Sequence, residues 1–166
     1  MSADERTRTL VMGIGNILLK DEGAGVRIVE RLAALNPDVP DIVWLDGGTL
    51  SFTLAPEVEA SRNLIVVDVT QLKSPAGTVQ VFEDAEVDRM LGSAGRSVHE
   101  IGIMDLMDMA RLTERLPERR ALVGIQPQAI EWGEEPTPPV AAAIPVAQRA
   151  IAELVERWTG VSLRTD

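Results

Sequence analysis

The chain contains one histidine, His99, and neither cysteine nor tyrosine, so the chemistry open to it is narrow. Without cysteine there is no thiolate nucleophile, no thiolate metal ligand and no disulfide. No Gly-x-Ser-x-Gly elbow and no His-Glu-x-x-His pair occurs, which removes the common serine-hydrolase and zinc-peptidase signatures. What remains is a set of carboxylates and that one imidazole. Glu22 follows a glycine-rich turn, Asp46 and Asp68 each close a short apolar run, and His99 stands two residues after Ser97. Glu22, Asp68 and His99 together would suit a borderline divalent ion such as zinc or nickel and would leave coordination positions open. The same residues also have a plain reading, as helix-capping or solvated acids and a surface histidine. Spacing alone does not choose between the two.

Such residues act only if secondary structure brings them together. Leu10, Val11, Met12 and Ile14 predict a strand buried on both faces, with Gly13 and Gly15 turning the chain at its end. An apolar period of about 3.6 through Val26, Val29, Leu32 and Ala33 predicts a helix from about Gly23 to Leu35, stopped by Asn36-Pro37. Asp21 and Glu22 then precede a helix start, where free N–H groups favour carboxylates. Ile42–Leu45 predicts a second strand followed by an Asp46-Gly47-Gly48-Thr49 loop, and Leu64–Val67 a buried strand ending on Asp68. Leu50–Glu59 is weakly helical and interrupted by Pro56, and Lys73–Gly77 reads as a turn. Thr78–Phe82 alternates polar and apolar, as an edge strand would, and Glu83–Arg96 is the least structured stretch. Ser97-Val-His-Glu100 matches a capping box. That places His99 in the first turn of a helix burying Ile101, Met104, Leu106 or Met107, and Met109, with a dipole favouring the neutral imidazole. Ala121–Ile125 is the last predicted strand, closed by Gln126-Pro127. An acidic, proline-rich loop over Glu131–Pro139 leads to a closing helix, Val140–Trp158, which Pro145 should kink or delimit.

Alternating strands and helices imply a single three-layer α/β domain over residues 1–166, with a largely parallel sheet. Ligands in such sheets bind beyond the carboxyl ends of the strands, where strand order reverses. Glu22, Asp46 and Asp68 fall on that rim. A nucleotide site fails on motif, since Leu18 stands where the dinucleotide fingerprint needs a small residue and no Gly-Lys-Ser/Thr run occurs. The formal net charge of −10 and the scarcity of aromatic residues argue against nucleic acid. No apolar run approaches the roughly 20 residues of a membrane span. The polar start Met1–Arg6 has no signal-peptide pattern, and the expectation is a reducing cytoplasm.

The segment Gly13-Ile-Gly-Asn-Ile-Leu-Leu-Lys-Asp-Glu-Gly-Ala-Gly25 closely resembles the N-terminal signature of the nickel-iron hydrogenase maturation endopeptidases. The resemblance continues, in order and at similar spacing, through Asp46-Gly-Gly-Thr49, Leu64–Asp68, Pro75-x-Gly-Thr78, Ser97-x-His-x-x-Gly102 and Val123–Pro127. It implies an α/β/α sandwich on a five-stranded mixed sheet of order 2-1-3-5-4 with strand four antiparallel. By the same resemblance Glu22, Asp68 and His99 are the three metal-contacting and catalytic positions, and Asp46, Gly47, Gly48 and Thr49 are candidates for substrate contact. The implied function is removal of a C-terminal extension from a hydrogenase large-subunit precursor, an aspartic-type cleavage with nickel carried by the substrate as the recognition signal. Zinc, cadmium or nickel could occupy the same ligands, and no nucleotide is implied. The rival reading is a chaperone that checks nickel loading without cutting. The chain departs from the family pattern mainly after residue 127, over Ile130–Pro139.

Overall fold

Every residue of the first strand, Thr9–Ile14 (β1), is buried, as its unbroken apolar run requires. The computed structural model describes residues 4–48, 52–92 and 98–166. The other strands are Ile42–Gly48 (β2), Asn63–Val69 (β3), Val79–Glu83 (β4) and Arg119–Ile125 (β5). They form one sheet in the order β2-β1-β3-β5-β4. Pairing is parallel except between β4 and β5. The fully buried β3 lies centrally, while the alternating Val79–Glu83 takes the edge its pattern predicts.

Helices Ala24–Leu35 (α1) and Pro138–Thr159 (α5) cover one face of the sheet; their side chains Ile28, Leu32, Ile151 and Leu154 pack with Val11, Ile65, Val67 and Val123. Ala55–Glu59 (α2), Ala85–Gly92 (α3) and Val98–Leu112 (α4) supply the other face, packing with Leu10, Met12, Leu64 and Val66. Strand alternation therefore decides which layer each residue of β3 meets. Asp68 shares the phase of Leu64 and Val66, so it points toward the layer that contains α4.

Several expectations are corrected. Asp46, Gly47 and Gly48 continue β2 instead of forming a loop, pairing with β1 across an irregularity at Gly13/Ile14. Gly13 belongs to β1, so the turn falls to Gly15 alone. Glu83–Arg96 contains α3, which the sequence under-signals because only Val87 and Leu91, one turn apart, are buried. On α4 the buried stripe is Ile103, Leu106, Met107 and Ala110, and Ile101 turns outward at 43% exposure. Helix α5 runs through Pro145. Thr49 and Ser97 lie outside the described residues, and with Ser97 so does the N-cap of the predicted capping box.

Candidate active site

Three elements deliver the three side chains to one rim. Glu22 sits in a 3-10 turn, Lys20–Gly23, between β1 and α1. Two glycines set its place. Gly15 adopts φ +128°, and a Cβ there would fall 1.9 Å from the Glu22 carbonyl oxygen. A Cβ on Gly25 would fall 2.4 Å from the Val67 carbonyl oxygen. The missing side chain lets the start of α1 press against β3, one residue before Asp68.

His99, in the first turn of α4, stands between the two acids. Its Nε2 lies 3.3 Å from Glu22 Oε1 and its Nδ1 lies 3.5 Å from Asp68 Oδ1. The side chains of Glu22 and His99 are 17% and 15% exposed, and that of Asp68 is 1%. Neither Asp68 oxygen accepts a well-formed hydrogen bond among the described residues. Burial raises the Asp68 carboxyl to about 6, against the opposing pull of His99 and the Val69 backbone N–H. His99 is shifted upward, chiefly by its contact with Asp68 and further by the charges of Glu22 and Glu100, while burial opposes the shift. The expected preference for a neutral imidazole is thus overturned, because two nearby carboxylates outweigh a helix terminus.

The donor set, two carboxylates and an imidazole, suits a borderline divalent ion. Its arrangement is an ion-pair chain, acid–imidazole–acid, with one ring nitrogen spent on each carboxylate. Among the described residues no three such groups are disposed as a ready metal shell. A metal would have to compete with His99 for Asp68.

Asp46 stands apart from this chain. It is exposed, and its Oδ1 accepts the Gly48 N–H at 2.8 Å. The Gly48 carbonyl in turn accepts the Gly15 N–H at 2.9 Å, which ties the end of β2 to the glycine turn.

Sequence reasoning paired Asp21 with Glu22, and the structure separates them. Asp21 is fully buried and accepts the N–H groups of Gln128, Ala129 and Thr137 at 2.7–2.8 Å, together with the Thr137 hydroxyl at 2.9 Å. Burial alone would raise this carboxyl, but those donors together hold it below its ordinary value. Consecutive residues of a 3-10 turn point about 120° apart, so one acid turns inward and its neighbour faces the rim. Asp21 thereby fastens the loop after β5 to the loop after β1. The same two loops share a backbone pair, Lys20 N–H to the Gly133 carbonyl at 2.8 Å and Gly133 N–H to the Leu18 carbonyl at 2.9 Å. Lys20 Nζ also pairs with Glu131 at 2.7 Å, and Arg27 donates to the Glu134 carbonyl. Two further buried polar groups fix the rim: Gln126, whose Oε1 accepts the Leu72 N–H at 2.7 Å, and Glu100, which accepts the Thr70 hydroxyl.

The geometry has counterparts among known proteins. The family model described as hydrogenase maturation protease matches residues 26–154. The hydrogenase 2 maturation protease of Escherichia coli K12 is 37% identical over 153 residues, covering 90% of this chain and 92% of that one. The hydrogenase expression/formation protein HoxM of Cupriavidus necator is 35% identical, covering 92% of this chain and 76% of its own. The structure of the hydrogenase maturating endopeptidase HybD from E. coli superposes with a TM-score of 0.84 at 34% identity, over 94% of this chain and 96% of that one.

Proposed function

Because the chain belongs to the hydrogenase maturation protease family, we propose that Glu22, His99 and Asp68 engage nickel carried by a hydrogenase large-subunit precursor, and that the enzyme then removes the precursor's C-terminal extension. Membership makes the chain a peptidase of hydrogenase maturation. The observation that supports the nickel step is Asp68, a fully buried carboxylate whose oxygens lack hydrogen bonds among the described residues. His99, 3.5 Å away, compensates such a group only in part, and a closer cation would compensate it further. Nickel on this reading is part of the substrate, so a precursor without nickel presents nothing for the site to hold.

The chain's own residues also suit the cut. Asp68, raised to about 6, is mostly ionised at neutral pH yet basic enough to accept a proton from an attacking water. The water oxygen bonds to the scissile carbonyl carbon, the C–N bond breaks, and the departing amine takes up the proton. His99, whose Nδ1 lies 3.5 Å from Asp68, can pass an N–H proton to the departing amine and be reprotonated by Asp68. A carboxylate-driven cut of this kind is aspartic-type in chemistry. The cysteine-free composition accords with a cytoplasmic setting.

The direct test is incubation of the enzyme with nickel-loaded and nickel-free precursor, followed by intact-mass measurement. The loaded precursor should lose its C-terminal peptide and the nickel-free one should not. Equal cutting of both would sink the nickel reading, and binding without loss of mass would make the protein a loading checkpoint. His99→Ala should leave the loaded precursor intact.

A further inference from the structure

Eight large apolar side chains are exposed among the described residues, and they are not scattered. Ile17 and Leu18 follow β1, Phe52 follows β2, Ile130 and Trp132 follow β5, and Ile101 stands two residues beyond His99. Five of the eight therefore belong to the rim that presents Glu22, Asp68 and His99, while Ile101 faces away from His99 on its helix. Trp132 is 79% exposed, a large cost for the most apolar-bodied of side chains to carry without a role.

The segments bearing them are held in place. Leu18 and Gly133 share a backbone hydrogen bond, so Leu18 and Trp132 lie on adjoining segments of a two-loop clasp. Asp21 anchors that clasp from beneath with three N–H acceptances. A surface fixed before it binds loses little entropy on binding. Glu134 and Glu135 border it, exposed and without an ion-pair partner among the described residues.

We propose that this apolar collar, centred on Leu18 and Trp132, is the docking surface for the polypeptide flanking the cut bond in the precursor. The occupant is an apolar segment with basic flanks, matching the exposed apolar side chains and the unpaired glutamates. The proposal rests on the function given above and adds to it a second recognition element, independent of nickel. Metal contact reports that the precursor is loaded, and the collar reports which polypeptide carries the metal.

The test is steady-state cleavage of nickel-loaded precursor by Trp132→Ser and Leu18→Ser, with Leu112→Ser and Val146→Ser as controls at exposed apolar positions off the rim. Each rim variant should raise KM by about tenfold or more with kcat nearly unchanged, the pattern of lost ground-state binding. The controls should match the wild type. Thermal unfolding of all four would confirm that they are folded. Unchanged KM in both rim variants, or an equal rise in the controls, overturns the proposal. A wild-type dimer that dissociates in Trp132→Ser would assign the collar to self-association and overturn it too. Failure of the wild type to cut the loaded precursor would instead refute the underlying function.

Discussion

Asp68 and His99 have a measurable consequence for stability. A carboxyl whose folded pKa lies above its ordinary value stabilises the folded state while protonated. That stability is fully present below about pH 3.8 and is lost as pH rises toward about 6. A shift of this size is worth on the order of 3 kcal/mol. Asp68→Asn removes the penalty, so the variant should melt above the wild type near pH 7.5 and level with it near pH 3.5, as scanning calorimetry would show. A variant that melts lower at both pH values would mean the carboxylate is structural. The sequence exposed Asp68 as the end of an apolar run, and the period-two phase of Leu64 and Val66 indicated which way it points. It could not show that an imidazole 31 positions later would meet it, since that depends on where α4 lands.

The loop after β5 is the element least legible in the sequence. Glu131–Pro139 reads as an acidic, proline-rich stretch with no period, and no local signal says that Asp21 binds the loop it belongs to. Distance along the chain is the reason: the donors are 107 to 116 residues away from their acceptor. Asp21 has a folded pKa below its ordinary value, so its contribution is present above about pH 3.8 and is lost as pH falls through the folded value. Asp21→Ala should cost about 2–4 kcal/mol near neutral pH, given hydrogen bonds of about 1.5–3 kcal/mol to a charged acceptor and donors left buried. Amide exchange at Gln128, Ala129 and Thr137 should accelerate, with little change in the core of α5. Unaltered exchange at those three amides would show that other contacts hold the loop. The strands and α1, in contrast, were legible because their apolar periods are local and long. Strand β2 ran past its predicted end because Asp46-Gly47-Gly48 carries turn residues, yet pairing with β1 overrode that preference.

Across the whole molecule, 26 acids against 16 bases leave a formal net charge of −10. Self-repulsion of that kind opposes the compact state. Raising salt from about 10 mM to about 1 M shortens the screening length from about 30 Å to about 3 Å. The melting temperature should therefore rise over this range in sodium chloride, a salt with little effect on apolar burial. A fall would mean that surface ion pairs such as Arg62–Glu118 and Lys20–Glu131 outweigh the repulsion. The layered architecture itself followed from the alternation of elements, and the strand order from family resemblance. What no pattern announced was the rim's apolar collar, because each exposed side chain is unremarkable until the fold gathers five of them.

The strand order also has a consequence in time. Strand β4 has one neighbour, β5, which begins 36 residues after β4 ends and lies between β4 and β3 in the sheet. While the chain leaves the ribosome N-terminus first, Val79–Glu83 has no strand to pair with, and Asp21 waits longer still for its donors at positions 128–137. The glycine turn that carries Glu22 is among the earliest segments made, and the loop that fastens it is among the last. A growing chain therefore holds Glu22 and Asp68 well before His99 is made, and the loop that fastens the glycine turn arrives only with the final quarter of the polypeptide.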